Sequence, residues 1–253
     1  MGSQLPYSVI AEYYDEICSR ITPVFMEVYE KILADVKSEI RSVCDLCCGS
    51  GSQAINFAMQ GLEVYAIDRI ETFSRIIRDK ALKAKVNIQF IQNDMRYFQL
   101  AKKVDLMTCM ADSLNFLEKK SELGSVFNRV YNALRMGGYF AFDVNTEKAL
   151  NEMWPKFPIF LYEGKGWLCI RRGKLYDSQR KVGSMESLLF KQREQGLWTR
   201  QTEIYNEIAW TDQEIEKILK DASFEVLRSW DAKELGTSKE EGLRLFYLAK
   251  RQN

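Results

Sequence analysis

Short apolar runs alternate with amphipathic helical segments along the first 150 residues. The runs predict five buried strands, at Ser42–Leu46, 63–67, 87–91, Val104–Cys109 and 139–144. Apolar residues at helical spacing lie between them, as at Phe73, Ile76 and Ile77. Strands that alternate with helices are typical of an α/β protein with a parallel sheet and crossover helices.

Helices and turns complete this first pattern. Residues from about 7 to 37 are predicted to be helical with a break near Thr22 and Pro23, because proline suits a first helical turn. A later helix has Leu134 on its apolar face, and the glycines within 135–138 predict a turn before strand five.

The pattern changes between about 157 and 209. Short runs rich in Tyr, Trp, Leu, Ile and Thr are separated there by turn residues, which predicts a meander of antiparallel strands. A helix capped by Thr211 and two further strands then resume the first pattern. The sequence therefore predicts an α/β domain formed by 1–152 and 211–253, with 153–210 inserted as an antiparallel β subdomain.

Composition narrows the classes of function. The 253 residues are 46% hydrophobic and carry a net charge of +1, from 36 basic and 35 acidic residues. That balance gives no field for nucleic acid or an anionic membrane, and no apolar run has the length of a membrane span. The first ten residues lack a secretory hydrophobic stretch. We expect a cytoplasmic protein, monomer or homodimer, that acts on a small molecule and binds neither nucleic acid nor membrane.

The chain contains no histidine and six cysteines. Without histidine, Ser-His-Asp and Cys-His machinery is excluded, and a base must be a carboxylate, Lys, Tyr or Cys. Cys44, Cys47 and Cys48 have the spacing of a metal or redox motif, but a zinc site would be short of ligands. We expect reduced structural thiols and no metal.

The segment 43–51 combines an apolar strand, an acid and two glycines before a helical stretch. A strand, a tight turn and a helix start bring backbone N–H groups against a nucleotide-like ligand. Gly49 and Gly51, with Ala54, also satisfy the loose dinucleotide fingerprint, and Asp68 follows by the span of one βα unit. Taken alone, this loop leaves a nicotinamide cofactor and other nucleoside cofactors open.

Residues 45–51, Asp-Leu-Cys-Cys-Gly-Ser-Gly, resemble the first motif of class I S-adenosylmethionine-dependent methyltransferases, Asp-Leu-Gly-Cys-Gly-Thr-Gly. Cys47 stands where the family most often has glycine. Segments similar to further motifs of the family lie at 11–15, 66–69, 92–96, 105–116 and 134–145. The resemblance implies a Rossmann-like seven-stranded sheet, mostly parallel with an antiparallel last strand. It also implies a small-molecule subgroup whose β insertion after strand five acts as a lid.

The resemblance implies a site for S-adenosylmethionine, with S-adenosylhomocysteine as the product. Asp68 would grip the ribose hydroxyls, because a carboxylate can accept two charge-assisted hydrogen bonds from a vicinal diol. Asp94 and Met95 would contact adenine, and Asp45 would interact with the ammonium group. The predicted cofactor-binding residues are Tyr14, Asp45, Cys47, Gly49, Gly51, Asp68, Arg69, Asp94, Met95 and Met110.

Methyl transfer from a sulfonium needs alignment of the nucleophile and exclusion of water. We therefore expect in-line transfer to an N- or O-nucleophile of a small molecule, with a base needed for a hydroxyl acceptor. The predicted catalytic residues are Asp112, Asp143 and Tyr13, and the predicted substrate residues are Ser113, Asn115 and Asn145. The alternatives are a nicotinamide-dependent oxidoreductase, a metal-assisted O-methyl transfer through Asp112 and Asn145, and a cofactor-binding sensor or scaffold without turnover.

Overall fold

The computed structural model describes residues 5–156 and 160–253, which form two β-sheets and the helices around them. Residues 1–4 and 157–159 lie outside the described residues. These include residue 1, where the predicted α/β domain begins, and Phe157, where the predicted meander begins.

The strands alternate with helices in the first part of the chain and follow one another directly in the second. They are β1 (Ser42–Leu46), β2 (Glu63–Asp68), β3 (Gln89–Gln92), β4 (Val104–Cys109), β5 (Leu134–Asn145), β6 (Phe160–Gly164), β7 (Trp167–Gly173), β8 (Val182–Gln192), β9 (Trp198–Ile208), β10 (Phe224–Asp231) and β11 (Arg244–Arg251).

The larger sheet has the strand order β10-β11-β5-β4-β1-β2-β3. Its strands β1 to β5 are parallel, whereas β11 runs antiparallel to both β5 and β10. Side chains alternate between the two faces, so that Cys44 and Leu46 join one apolar cluster and Val43 joins the other. The predicted Rossmann-like fold with an antiparallel last strand is confirmed.

The helices cover both faces of this sheet. They are α1 (Tyr14–Ile17), α2 (Thr22–Leu33), α3 (Ser52–Met59), α4 (Glu71–Ala84), α5 (Lys120–Ala133), α6 (Trp154–Lys156) and α7 (Asp212–Asp221). Pro23 lies in the first turn of α2, and Thr211 caps α7 by accepting a hydrogen bond from the Glu214 N–H. None of the helices described is long and apolar enough to cross a membrane.

The prediction was wrong at the start of strand five. Leu134 does not end a helix but begins β5, and 135–138 lie within the strand rather than in a turn. The pairing of β4 with β5 shifts register between Val104, which pairs with Leu134, and Leu106, which pairs with Tyr139, so 135–138 form an irregular stretch of β5. Strand three begins at Gln89, later than predicted.

The smaller sheet is antiparallel, with the order β6-β7-β8-β9. It confirms the predicted meander and lies within the predicted insertion, while the division of the chain into two domains stays a prediction. The N-terminal segment is packed against this sheet, where Val9, Ile10 and Ile17 form one apolar cluster with Trp167. The backbone N–H of Val9 also donates to Glu203 of β9 at 3.0 Å. Both the N-terminal segment and the second sheet therefore lie above the carboxyl edge of the first sheet.

Candidate active site

A cavity of about 330 Å³ lies between the two sheets. Its floor is formed by residues at the carboxyl ends of β1, β2 and β4, and its cover by the N-terminal segment and by β7 to β9. Ligands of open α/β sheets bind at this edge. The predicted site residues that line it are Tyr14, Asp45, Cys47, Gly49, Asp68, Arg69, Asp94, Met95, Met110, Asp112 and Ser113.

The loop after β1 adopts left-handed backbone conformations at Cys47, Gly49 and Gly51, with φ values of +57°, +54° and +76°. A Cβ on Gly51 would lie 2.5 Å from Ile77, so this glycine allows α4 to approach the loop. A Cβ on Gly49 would lie 3.4 Å from the ring of Tyr14. Residues other than glycine adopt this conformation at a cost of roughly 1–2 kcal/mol, which explains why glycine is favoured where Cys47 stands.

Asp45 and Asp68 are buried carboxylates near the ends of β1 and β2. The backbone N–H groups of Gly49 and Ile70 donate to Asp68 at 2.9 Å each, so that Asp68 holds the glycine loop in place. The Thr108 hydroxyl donates to Asp45 at 2.7 Å. Burial raises the pKa of both carboxyl groups, that of Asp45 to about 7, although these hydrogen bonds oppose the change.

Asp94 and Met95 follow β3 and form a polar and an apolar part of the same wall. Arg96 donates from its backbone N–H and its Nε to Oδ1 of Asp94, at 2.9 Å each, and from Nη2 to Oδ2 at 2.8 Å. Arg69 lies 3.6 Å from the same carboxylate. Burial raises the pKa of Asp94, but the hydrogen bonds from Arg96 outweigh it and hold the pKa below its usual value. Asp94 is therefore ionised.

Asp143 lies behind the cavity wall and is fully buried. It accepts hydrogen bonds from the backbone N–H groups of Ala111 and Asp112, at 2.6 and 3.1 Å, and pairs with Arg244. Ala111 and Asp112 both have left-handed backbone, with φ values of +59° and +57°. Burial raises the pKa of Asp143 to about 6, although Arg244 lowers it. Asp143 thus holds a strained turn that places Asp112 on the cavity wall.

Asp112 is connected to a second carboxylate, Glu207 of β9. Arg244 donates to Oδ2 of Asp112 at 2.6 Å, and Asn145 Nδ2 donates to Asp112 and to Glu207 Oε2 at 2.8 and 2.9 Å. Glu207 is 1% exposed and lines the cavity. Its Oε1 has no hydrogen-bond partner among the described residues. Burial and the charge of Asp112 raise the pKa of Glu207.

The remaining predicted site residues do not line the cavity: Tyr13, Gly51, Asn115, Asp143 and Asn145. Asn115 joins the ends of β5 and β9, because its Nδ2 donates to the carbonyl groups of Asn145 and Ile208 at 2.9 and 2.8 Å. The ring of Tyr13 packs against Trp167, with 4.7 Å between ring centroids. These side chains support the wall from behind.

The sequence analysis missed Glu207, Tyr205 and Arg171, which line the cavity from the second sheet. One signal was present in β9, where alternation buries Glu203, Tyr205 and Glu207 while Ile204 faces solvent. Carboxylates at the buried positions of a strand invert the usual pattern, since acidic residues are rarely buried without a partner.

Comparisons with known proteins agree with this geometry. Residues 43–138 match a family model described as a methyltransferase domain. A relative from Geobacillus sp. (strain WCH70) with a methyltransferase name is 24% identical, over 98% of this chain and 100% of the relative. A solved S-adenosylmethionine-dependent methyltransferase from Clostridium acetobutylicum ATCC 824 is 23% identical, with a TM-score of 0.79 over 98% of this chain and 99% of that chain. The sugar N-methyltransferase KedS8 from Streptoalloteichus sp ATCC 53650 is 15% identical, with a TM-score of 0.78 over 100% and 96%.

The chain contains a methyltransferase domain at residues 43–138 and has the fold of the class I S-adenosylmethionine-dependent methyltransferases. Its cofactor is S-adenosylmethionine, which replaces the nicotinamide alternative. The residues of the methyltransferase fit this cofactor. The carboxylates of Asp45 and Asp68 have the chemistry to accept hydrogen bonds from an ammonium group and a diol, and Met95 and Met110 offer polarisable apolar surface to a ring.

Proposed function

We propose that this methyltransferase methylates the nitrogen of a small-molecule amine. The observation that carries the proposal is Glu207, a buried carboxylate with an unpartnered Oε1 on the cavity wall. An amine is largely protonated near neutral pH and must lose a proton before its nitrogen can attack. A carboxyl group with a raised pKa, placed beside the acceptor, can take that proton.

At the cofactor end, we assign Asp68 to the ribose hydroxyls, Asp94 and Met95 to adenine, and Asp45 to the ammonium group. Each oxygen of Asp68 accepts one backbone hydrogen bond and retains a second lone pair for a hydroxyl. When bound, S-adenosylmethionine supplies a methyl carbon activated by a positively charged sulfur. Tyr14, whose ring covers Gly49, shields this part of the cavity from water.

At the acceptor end, the residues of the chain manage one proton. Glu207 takes it from the ammonium form of the acceptor, which leaves a neutral nitrogen with its lone pair available. After transfer the methylated nitrogen bears the positive charge, and Glu207 returns its proton to water as the product leaves. Asn145 orients Glu207 through Oε2, and Asp143 acts as a positioning residue for Asp112.

The cover of the cavity supports a small acceptor. The rings of Tyr7, Phe116 and Tyr205 line the cavity as one aromatic cluster, with centroid separations of 5.0 to 6.0 Å. Such an aromatic enclosure excludes water and admits small molecules rather than a folded polymer. The name of KedS8, a sugar N-methyltransferase of the same fold, supports nitrogen as the nucleophile.

The first test is calorimetric titration with S-adenosylhomocysteine, with NADH as the comparison. We expect micromolar binding of S-adenosylhomocysteine and none of NADH. The protein is then supplied with S-adenosylmethionine and with matched pairs of alkylamines, amino sugars and amino acids and their hydroxyl counterparts. Turnover of the amines alone supports the proposal. Turnover of the hydroxyl compounds alone contradicts nitrogen methylation, and binding without any turnover favours a sensor or scaffold.

The affinity for S-adenosylhomocysteine is expected to rise with pH up to about 7 and then level off. The pKa of Asp45 in the protein without ligand is about 7, and the ammonium group of the ligand favours the ionised carboxylate. Below that pH, binding must release a proton, so the affinity falls by up to about tenfold per pH unit. Calorimetry at pH 5.5 to 7.5, in buffers of different ionisation enthalpy, measures both quantities. In Asp45→Asn the pH dependence should vanish; if it persists, another group is responsible.

A further inference from the structure

Arg171 of β7 lines the cavity without an ion pair. Within residues 5–156 and 160–253, no carboxylate oxygen lies within 4.0 Å of its guanidinium nitrogens. Its Nη2 donates to the Tyr205 hydroxyl, and its Nε is buried without a partner. The ring centroids of Tyr7 and Tyr205 lie 5.6 and 5.9 Å from the Arg171 Cζ. A positive charge is thus held among aromatic side chains in the cavity.

Neighbouring arginines show how unusual this placement is. Arg244, on the same cavity, is paired with Asp112 and Asp143, and Arg172, on the opposite face of β7, is paired with Glu186. Withdrawing a charge from water is costly unless a partner of opposite sign accompanies it. Arg171 interacts electrostatically with Glu203 and Glu207, but neither lies within ion-pair distance among the described residues, so its spare donors face the cavity and can bind the anionic group of a ligand.

The charges around Arg171 limit that anion to a single negative charge. Across the sheet, Arg171 is opposite Ser187, and Ser187 is opposite Glu203. Glu203 and Glu207 both face the same side of β9 and are buried. The single positive charge of Arg171 can balance one carboxylate of a ligand. Glu203 and Glu207 would repel the second negative charge of a phosphate. A guanidinium also matches the two oxygens of a carboxylate in geometry.

Arg171 and Glu207 line the same cavity. The Arg171 guanidinium donates to the hydroxyl of Tyr205, and Tyr205 and Glu207 are two residues apart on one face of β9. One small acceptor in the cavity can therefore present an anionic group to Arg171 and an amine to Glu207.

We propose that the acceptor is an amino acid whose carboxylate is bound by Arg171 while its amine faces Glu207. This proposal rests on the proposed amine methylation and names its substrate class. Tyr7, Phe116 and Trp154 line the same end of the cavity and provide an apolar surface for the side chain. Arg171 is a specificity-determining residue in this arrangement.

The test compares acids with their amides, since an amide keeps the amine and loses the charge. Rates of S-adenosylhomocysteine formation are measured for phenylalanine, glycine and β-alanine, for their carboxamides, and for phosphoethanolamine. Binding of the same compounds to protein saturated with S-adenosylhomocysteine is measured by calorimetry. We expect acids to be preferred over amides by at least about tenfold in kcat/KM and in affinity, because hydrogen bonds to charged groups are the strongest of their kind.

Arg171→Gln should raise KM for the acids by about 10–100-fold, change kcat little and remove the preference over amides. Arg171→Lys, which keeps the positive charge, should retain part of the preference for acids over amides. Arg172→Gln is the matched control on the outer face of the same strand and should leave the preference intact. Equal binding and turnover of acids and amides, or a preference for phosphoethanolamine, would overturn the proposal. If binding of the acids depends on Arg171 but no S-adenosylmethionine is consumed, the anion site is supported and amine methylation is refuted.

Discussion

Replacement of Glu207 by glutamine is expected to lower kcat by about 10²–10⁴-fold with little change in the affinity for S-adenosylhomocysteine. Glutamine keeps the size of the side chain and an oxygen that can accept the hydrogen bond from Asn145 Nδ2. It cannot take a proton from the acceptor. The loss should therefore appear in kcat, measured with an amine acceptor at saturating S-adenosylmethionine.

The pH profile separates proton transfer from a structural effect. In Glu207→Gln the rate should keep rising with pH, because the amine then loses its proton only to the solvent. Glu186→Gln is the control, because Glu186 is a buried glutamate on β8 that is paired with Arg172 and Lys174 on the other face of the sheet. If Glu207→Gln keeps kcat within threefold, or loses cofactor binding as well, Glu207 does not hold the proton.

The sequence predicted the first sheet, and the residues that it proposed for the cofactor line one cavity, because both depend on local signals. Strand β1, the glycine loop and the acid at the end of β2 occur in one βα unit, where spacing alone places Asp45, Gly49 and Asp68 together. The start of β5 was mispredicted for a different reason. An irregular stretch within a strand has the same local composition, with glycines, as the turn that was expected.

The acceptor end could not be predicted in the same way. Arg171 and Glu207 lie on different strands of the second sheet, and Glu207 meets Asp112 only through Asn145 at the end of β5. These contacts join segments far apart in sequence, and no local spacing encodes them. The roles expected for Asn115 and Asn145 remain proposals, now as side chains that support the wall behind Asp112.

Asp68→Ala is expected to weaken the binding of S-adenosylhomocysteine by about 1–3 kcal/mol, or about 5–150-fold in Kd. The variant loses the proposed bonds to the ribose hydroxyls and also the two acceptors that hold the N–H groups of Gly49 and Ile70. Calorimetric titration gives the affinity, and thermal unfolding gives the stability. Asp68→Asn is the intermediate case, because the amide keeps one acceptor oxygen and loses the charge.

A matched acid separates an effect at the Asp68 site from a general loss of stability. Asp105, at the amino end of β4, accepts the backbone N–H groups of Arg41 and Ser42 at 2.9 Å each, at the opposite edge of the same sheet. Asp105→Ala should therefore lower the unfolding temperature much as Asp68→Ala does, while the Kd for S-adenosylhomocysteine stays unchanged. If Asp68→Ala lowers the unfolding temperature and leaves Kd unchanged, Asp68 only braces the glycine loop. A lower affinity in Asp68→Ala with unchanged affinity in Asp105→Ala assigns the effect to the Asp68 site rather than to a general loss of stability.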